Sequence, residues 1–311
     1  MPLAWITGAR GFLGRNLAQH LAAHGTRVAG VGHGHWPAAE ANRAGLAFWI
    51  NGDIGAASLD LLLKESGRPD VIYHLAGGSA VGPSFANPLE DFERTVHATA
   101  RLFDWIRRCC ADAPVVAVSS AAVYGAGHAE PLAEDTPARP YSPYGYHKAI
   151  MEALCRSYGE NFGARSAIVR VFSAYGPGLR KQILWDLCSR LSSTTESLTL
   201  DGTGLERRDW IHAGDVARLL VLVAQTLPSA EAPVVNGATG EGHSVAEFAE
   251  QVLQAWGAGR AVRFSGRSRP GDPINLVADV TRLRALGFVP QVALAQGIRS
   301  YVDWFRQSAG R

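Results

Sequence analysis

The stretch LAWITGARGFLGRNLAQHLAAHG, residues 3–25, joins a short apolar run to a glycine-rich turn and then to an amphipathic pattern. The apolar run Leu3–Thr7 predicts a buried strand, and the pattern over residues 12–24 predicts a helix. A strand that turns through glycines directly into a helix is typical of the first βαβ unit of a doubly wound sheet. The stretch therefore predicts a parallel sheet with helices packed on it.

The glycines of this turn follow the spacing G-x-x-G-x-x-G. Glycine permits a tight turn and a close backbone approach, and the free N–H groups at a helix amino terminus attract phosphate. A purely structural turn would use the same residues, but the position at the start of a βαβ pattern favours binding of a dinucleotide pyrophosphate. The contacts predicted here come from Gly8, Arg10, Gly11, Phe12, Leu13 and Gly14.

Further apolar runs alternate with helical patterns as far as residue 175, and the rhythm then changes. We predict an α/β fold, a Rossmann-type doubly wound parallel sheet with a smaller, mostly C-terminal α/β substrate domain. Residues 1–175 form the predicted dinucleotide-binding domain, to which residues 214–238 return. Residues 176–213 and 239–311 form the predicted substrate-binding domain.

Composition excludes several classes of protein. The 311 residues carry 30 basic and 28 acidic side chains, a net charge of +2, so no uniform positive field favours nucleic acid. No apolar run approaches the roughly 18 residues of a membrane span, and no signal-peptide pattern precedes the first strand. The four cysteines lack zinc-ligand or disulfide spacing. We expect a cytoplasmic enzyme with reduced thiols and without a metal, nucleic-acid or membrane partner.

Tyr144 and Lys148 lie four positions apart in a helical pattern, so their side chains share one helix face. A nearby ammonium favours the tyrosine phenolate, which can accept a proton from a substrate hydroxyl during hydride transfer to a nicotinamide. Ser120, at the end of an apolar run, can hydrogen-bond the same oxygen. A Tyr-x-x-x-Lys pair alone is often a chance surface pair, but downstream of the glycine turn it predicts a catalytic group of Ser120, Tyr144 and Lys148.

The choice between NAD and NADP depends on the end of the second predicted strand. An NAD site usually places Asp or Glu there to bind the ribose hydroxyls, and this chain has Gly32. Arg10 and His33 can instead offer donors to a 2′-phosphate, so NADP is favoured over NAD. The alternative is that these side chains only line an exposed loop. Asp53 follows the third predicted strand, where it can meet the adenine amino group.

Several motifs together resemble the extended short-chain dehydrogenases, in particular the nucleotide-sugar epimerase and dehydratase family that includes UDP-galactose 4-epimerase. The similarity runs along nearly the whole chain. It is carried by TGARGFLG at 7–14, GDI at 52–54, HLAGGSAVGPSFANP at 74–88, SSAAVYG at 119–125, YSPYGYHK at 141–148, VRVFSAYGPG at 169–178 and RRDWIHAGDVAR at 207–218.

The resemblance implies an NAD(P)-dependent enzyme acting on a nucleotide sugar. It places Gly8, Gly11 and Gly14 on the pyrophosphate, and Ser120, Tyr144 and Lys148 at the reacting carbon. It further implies cofactor contacts from Asp53, Ile54, Leu75, Ala76, Gly77, Ser119, Tyr144 and Lys148, and substrate contacts from Ser79, Ser120, Ser173 and Arg208. Arg180, Lys181 and Arg269 can assist at a diphosphate, and the alternative is that they are solvated ion-pairing residues.

Arg208 also has a physical reason to bind substrate, because a guanidinium fork suits a diphosphate. The resemblance further implies a homodimer formed through helices at 88–110 and 143–162. Five apolar residues on these helices can face a partner or pack on their own sheet: Leu102, Trp105, Ile106, Ile150 and Leu154.

Departures from the family pattern bear on the reaction. Similar dehydratases carry an Asp-Glu pair just after the catalytic serine or threonine, and this chain has Ala121 and Ala122, which disfavours 4,6-dehydration. Thr95 and Ser173 stand where many members have asparagine. We expect an epimerase first and an NADPH-dependent keto-sugar reductase as the alternative. A non-catalytic binding protein on the same fold is a more distant third.

Overall fold

The computed structural model describes residues 1–129, 131–194, 197–267 and 273–309. The chain divides into two compact units. Unit 1 consists of Met1–Gly125, Glu134–Val171 and Val216–Gly237. Unit 2 consists of Ala126–Ala133, Phe172–Asp215 and Ala238–Arg311.

The elements alternate through most of the chain. The strands are β1 (Leu3–Thr7), β2 (Arg27–Gly32), β3 (Phe48–Asn51), β4 (Val71–His74), β5 (Val115–Ser120), β6 (Ser166–Val171), β7 (Ser173–Tyr175), β8 (Leu198–Leu200), β9 (Arg207–His212), β10 (Val234–Gly237), β11 (Gly242–Ser244), β12 (Val262–Phe264) and β13 (Asn275–Leu276). The α-helices are α1 (Phe12–Ala23), α2 (Ala38–Arg43), α3 (Ala56–Ser66), α4 (Val81–Ala86), α5 (Pro88–Phe92), α6 (Ala98–Cys109), α7 (Pro143–Phe162), α8 (Gln182–Ser193), α9 (Ala213–Thr226), α10 (Val245–Trp256), α11 (Thr281–Ala285) and α12 (Leu294–Ala309).

Unit 1 is built on a seven-stranded sheet in the order β10-β6-β5-β4-β1-β2-β3. Every pairing in this sheet is parallel, with Trp5 of β1 opposite Ala29 of β2 on one side and Ile72 of β4 on the other. The strand order reverses between β1 and β4, and ligands of doubly wound sheets bind beyond the carboxyl ends of the strands at such a point. The predicted α/β Rossmann-type fold is confirmed.

The core of unit 1 contains apolar side chains from the sheet and from α3, α6 and α7. Trp5 and Trp105 lie 5.7 Å apart between ring centroids, and the indole N–H of each donates to a side-chain oxygen, Ser66 Oγ and Asp60 Oδ1 respectively. Leu102, Trp105 and Ile106 are fully buried here. A partner-facing position for these three is therefore wrong, because the apolar face of α6 packs on its own sheet.

The single helix predicted over residues 88–110 is interrupted. Helix α5 leads into a π-helical turn at Glu93–His97, and α6 continues from Ala98. The π turn contains one extra residue, so the side chains that follow it are rotated about the helix axis relative to a regular helix. Buried Thr95 lies within this turn.

Unit 2 contains small sheets. Strand β9 pairs with β11, β13 and β7, and β12 pairs with β8. The predicted domain boundary at residue 175 differs from the structure, in which the segment of unit 1 that contains β6 ends at Val171. The reason is that Ser173–Tyr175 pairs with β9 and not with the seven-stranded sheet. In the described part of the chain, no helix combines the length and apolar character needed to cross a membrane.

Candidate active site

The glycine turn after β1 is shaped by close backbone approaches. Gly8 has a φ of +73°, and a Cβ added there would lie 2.9 Å from the backbone nitrogen of Ala76. A Cβ on Gly14 would lie 2.5 Å from the carbonyl oxygen of Gly8. A side chain at either position would therefore collide with neighbouring backbone and displace the turn, the glycine cradle, that a pyrophosphate needs.

Helix α1 begins at this cradle with an uncapped amino terminus. Gly11 precedes the helix in an extended conformation without a side-chain hydrogen bond, and the first turn contains no acidic residue. The N–H groups and the positive end of the helix dipole are thus available to an anion. Phe12 and Leu13, at the start of the helix, are half-buried. These residues fit the dinucleotide predicted from the sequence.

The end of β2 carries cationic and donor groups. The guanidinium of exposed Arg10 lies against Gly34, where it would overlap an added Cβ. His33 Nδ1 lies 3.1 Å from Asp53 Oδ1, and both side chains are more than half exposed. The Ile54 side chain is buried in the core of unit 1, so only Asp53 of this predicted pair offers a polar side chain.

Strand β5 and helix α7 bring the three predicted catalytic residues together. Ser120, the last residue of β5, hydrogen-bonds Tyr144 through its side chain. Lys148 Nζ lies 5.9 Å from the centroid of the Tyr144 ring and donates to the carbonyl oxygen of Val118 at 2.8 Å. Ser142 caps α7 by accepting from the N–H of Gly145, which fixes the first turn that carries Tyr144.

Burial has the largest effect on the pKa values of Tyr144 and Lys148. It raises the pKa of Tyr144, although the hydrogen bond from Ser120 works in the opposite direction. Burial also lowers the pKa of Lys148 to about 8, while Asp91 and Glu152 oppose this change. The sequence predicted a tyrosine hydroxyl made more acidic by the lysine. The structure adds a larger opposing cause, because removal from water disfavours the phenolate.

The loop after β4 joins the glycine cradle to the catalytic group. Leu75 and Ala76 lie beside Gly8, and a Cβ on Gly77 would lie 3.2 Å from both Lys148 Nζ and Thr95 Oγ1. Thr95 Oγ1 accepts from the N–H of Gly78 at 2.8 Å. The cradle, the loop and the predicted catalytic residues therefore form one continuous site within unit 1.

A buried hydrogen-bonded chain stabilises this loop. His74 contacts Thr7 Oγ1 through Nδ1 at 2.7 Å and Thr99 Oγ1 through Nε2 at 2.9 Å. Because Thr99 donates its own hydrogen to the Thr95 carbonyl oxygen, it accepts from Nε2, and His74 accepts from Thr7. Burial lowers the pKa of His74 to about 3, which agrees with a neutral ring. The chain connects the end of β1 to the π turn.

Ser119 has a different partner from the one implied by the family resemblance. Its hydroxyl donates to Glu152 Oε1 at 2.6 Å, and Glu152 also accepts two hydrogen bonds from the Arg170 guanidinium. Successive residues of a strand point to opposite faces, so Ser119 faces Glu152 while Ser120 faces Tyr144. The Ser119 side chain therefore points away from Tyr144, and contact between Ser119 and the cofactor stays a prediction.

Two ionisable residues of the site were missed by the sequence analysis. Asp91 on α5 is buried and accepts from His147 on α7, with 2.5 Å between Oδ2 and Nδ1. His147 lies between Tyr144 and Lys148 in the sequence, and this position was the only indication that it could belong to the site. Its partner is 56 positions away, so no local spacing indicated the pair.

Most of the predicted substrate residues lie in unit 2. Ser173 is on β7, and Arg208 on β9 donates to the carbonyl oxygens of Arg207 and Pro273. Arg180 lies 5.7 Å from the ring centroids of both Trp185 and Trp304, which gives its guanidinium a packing role. Ser79, in unit 1, is exposed. Arg269 lies outside the described residues, and substrate contact by all five stays a prediction.

Residues 4–236 match the NAD dependent epimerase/dehydratase family. Over the whole chain, 31% of residues are identical to the UDP-glucose 4-epimerase of Azospirillum brasilense, of which 94% is covered. The dTDP-glucose 4,6-dehydratase of Streptomyces niveus is 28% identical over 84% of this chain and 76% of its own. The crystal structure of UDP-glucuronic acid 4-epimerase from Bacillus cereus, in complex with UDP-glucuronic acid and NAD, is 27% identical with a TM-score of 0.88, and the match covers 98% of this chain and 99% of that one.

Proposed function

The chain belongs to the NAD-dependent epimerase/dehydratase family, and from that premise we propose that it is an enzyme that inverts one carbon of a nucleotide-linked sugar, with Tyr144 as its acid and base. One observation carries the proposal. The loop at residues 75–78 contacts the glycine cradle on one side and Lys148 on the other. A dinucleotide held at the cradle would thus extend towards the hydroxyl of Tyr144.

The catalytic residues have separate tasks in this proposal. Tyr144 accepts the proton of the reacting sugar hydroxyl and later returns it. Ser120 donates a hydrogen bond to the phenolate formed in the reaction and so offsets part of the cost of its burial. Lys148, held by the carbonyl oxygen of Val118, supplies a positive charge beside the same ring. This arrangement makes a buried tyrosine usable as a general base.

The bound dinucleotide would supply the hydride acceptor and, in its oxidised form, a positive charge near the phenol. The residues that would hold it are Gly8, Gly11 and Gly14 at the pyrophosphate and Ala76 and Gly77 along the loop. For inversion, the site would have to let the oxidised sugar turn, and Tyr144 would keep the proton until it is returned to the sugar oxygen.

We propose carbon 4 of a UDP-linked hexose as the reacting position. The support is that the Azospirillum brasilense and Bacillus cereus relatives are named as 4-epimerases of UDP-sugars. The dehydratase relative of Streptomyces niveus raises 4,6-dehydration as a competing reaction. Ala121 and Ala122 oppose it, because neither side chain can move the proton that loss of water requires.

NADP is proposed in preference to NAD. The guanidinium of Arg10 beside Gly34 can pair with a 2′-phosphate, and Gly32 offers no carboxylate to the ribose hydroxyls. The same observation supports the second candidate function, reduction of a nucleotide-linked keto-sugar. A reductase exchanges its cofactor in every turnover, whereas an epimerase retains it.

One experiment separates these functions. Purified protein is stripped of nucleotide, the released nucleotide is identified by mass spectrometry, and NAD(H) and NADP(H) binding is measured by calorimetry with wild type and Arg10→Ala. Conversion of UDP-glucose to UDP-galactose without added dinucleotide supports the epimerase. Turnover of a keto-sugar only with added NADPH supports the reductase. Equal loss of NAD(H) and NADP(H) binding in Arg10→Ala would contradict the assignment of Arg10 to the 2′-phosphate.

We also propose a homodimer formed through unit 1. Helices α4 and α5 pack against α7, and these elements leave large apolar side chains exposed. Such exposed apolar residues are typical of an interaction surface. They are Phe85, Leu89, Tyr146 and Ile150.

A further inference from the structure

Asp91 and His147 form a buried pair beside the catalytic residues. Asp91 is the fourth residue of α5, and its carboxylate is almost fully removed from solvent. His147 Nδ1 lies 2.5 Å from Asp91 Oδ2, and the His147 ring also packs edge-on against Phe92. Because His147 directly precedes Lys148 on α7, this pair attaches α5 to the catalytic turn of α7.

Two adjacent glycines bring the Asp91 carboxylate towards the Lys148 ammonium. A Cβ on Gly78 would overlap Asp91 Oδ1, and a Cβ on Gly77 would lie 3.2 Å from Lys148 Nζ. Consecutive Cα atoms are about 3.8 Å apart, so the two charged groups contact neighbouring points of one backbone segment. Side chains at these positions would displace one charge or the other. The glycine pair therefore allows opposite charges to approach inside the protein.

The other described groups that act on Lys148 either share their negative charge with an arginine or carry none. Glu152 is engaged by the Arg170 guanidinium and by Ser119. Burial raises the pKa of the Cys155 thiol to about 12, so it is uncharged at neutral pH.

Two further neighbours of Lys148 are neutral as well. The ring of His74 has a pKa lowered by burial to about 3, and burial raises the pKa of the Tyr144 hydroxyl. Among these groups, Asp91 is the carboxylate best placed to balance Lys148.

We propose that Asp91, oriented by His147, is a positioning residue that supplies the counter-charge for the Lys148 ammonium. The consequence depends on the proposed function, in which a charged Lys148 stabilises the Tyr144 phenolate. Asp91 opposes the effect of burial on the pKa of Lys148, more strongly than Glu152 does. A nearby opposite charge favours the charged form of a buried group.

The low lysine content of the chain allows a direct test. The sequence contains three lysines, Lys64, Lys148 and Lys181. In protein labelled with ¹³C-lysine, the side-chain carbon signals are followed by NMR as pH is raised, and Lys64→Arg and Lys181→Arg variants assign the signal of Lys148. Asp91→Asn, which keeps the size of the side chain, should lower the pKa of Lys148 by roughly 1 pH unit or more.

A neighbouring carboxylate provides the matched control. Glu90 precedes Asp91 on α5 but is half exposed and paired with Arg94. Glu90→Gln should leave the Lys148 titration unchanged. An Asp91→Asn protein that is folded by circular dichroism and titrates like wild type would overturn the proposal.

If Asp91→Asn does not fold, a second variant tests the proposal. His147→Ala keeps the carboxylate but removes the group that orients it, and it should lower the pKa of Lys148 by a smaller amount. An unchanged Lys148 titration in folded His147→Ala would overturn the role assigned to this pair.

Kinetics separate this proposal from the proposed function. If Asp91→Asn lowers the pKa of Lys148 and the decline of kcat at alkaline pH moves to lower pH with it, both proposals are supported. If the NMR titration moves and the kcat profile for UDP-glucose does not, the Asp91–Lys148 pairing is retained and the catalytic role of Lys148 is wrong. A loss of kcat that is equal at all pH values, with an unchanged Lys148 titration, shows a merely structural role for Asp91.

Discussion

Lys148 Nζ donates to the carbonyl oxygen of Val118 at 2.8 Å, which ties the catalytic turn of α7 to the end of β5. The hydrogen bond holds the ammonium on the same side of the helix as Tyr144. It also keeps a buried amine in contact with a polar group, without which its removal from water would be more costly. The position of Lys148 is therefore fixed before any ligand binds.

The charge of Lys148 predicts a decline of activity at alkaline pH. Burial lowers the pKa of this amine to about 8, so it is mostly protonated below that pH and loses its charge as pH rises. If the ammonium stabilises the Tyr144 phenolate, kcat should fall as pH is raised through about 8. Lys148→Arg keeps a cation throughout this range and should remove the decline, even if its kcat is lower. Measurement of kcat from pH 6 to 10 for both proteins checks this, and an identical decline in Lys148→Arg would assign it to another group.

Replacement of the Tyr144 hydroxyl should remove the general base without unfolding the protein. We expect Tyr144→Phe to lower kcat by roughly 10²- to 10⁴-fold, the usual contribution of a positioned acid or base. Dinucleotide binding by calorimetry should stay close to that of wild type. Tyr146→Phe is the control, because Tyr146 lies on the same helix but is exposed. Retention of kcat in Tyr144→Phe would contradict the assignment of Tyr144 as the general base.

The fold and the central residues of the site were accessible from sequence because their signals are local. The alternation of runs and helical patterns indicated the parallel sheet, and a four-residue spacing placed Tyr144 and Lys148 on one face. The pair of Asp91 and His147 was not accessible, since it depends on the packing of α5 against α7.

Other features depended on details of the backbone that composition does not encode. The π turn at Glu93–His97 was predicted as regular helix, because one extra residue in a turn barely alters the apolar pattern. The Ser119 side chain lies on the face of β5 opposite to that of Ser120, because side chains alternate along a strand. The motif resemblance did not indicate on which face each serine lies. The end of the β6 segment of unit 1 at Val171 depended on the pairing of β7 with β9.

The cradle predicts different effects for two glycines with similar backbone angles. Gly8 and Gly25 have φ values of +73° and +78°, so alanine at either position should cost about 1–2 kcal/mol of stability. Only Gly8 is crowded, since nothing lies within 4 Å of a Cβ added at Gly25. Gly8→Ala should therefore also abolish dinucleotide binding, while Gly25→Ala should retain it. Urea unfolding and calorimetry measure the two effects, and equal binding by both variants would show that the cradle does not hold the pyrophosphate.

The exposed apolar side chains of α7 predict the site of dimer formation. Ile150 is 40% exposed on α7, and Leu61 on α3 is similarly exposed at 44%. If α7 contributes to the dimer, Ile150→Arg should shift the mass measured by light scattering from dimer towards monomer, because a charge in an apolar interface loses its hydration. Leu61→Arg should leave the mass unchanged. A monomeric wild-type protein, or a dimer that both variants retain, would contradict the proposed interface.

The buried Glu152–Arg170 pair predicts a large and specific effect on stability. Arg170 donates to both carboxylate oxygens at 2.8 and 2.9 Å, and both residues are buried. Although burial opposes it, the hydrogen bonds from this guanidinium to Glu152 raise the pKa of Arg170 above its usual value, so the arginine stays charged. Glu152→Gln leaves that charge without its carboxylate, and we expect the free energy of unfolding to fall by about 3–5 kcal/mol in urea titrations. Glu160→Gln, at an exposed position on the same helix, should change it by less than about 0.5 kcal/mol. The double variant Glu152→Leu, Arg170→Met should be more stable than Glu152→Gln, because it removes both charges together. If the double variant is less stable, the packing around the pair contributes more to stability than its charges do.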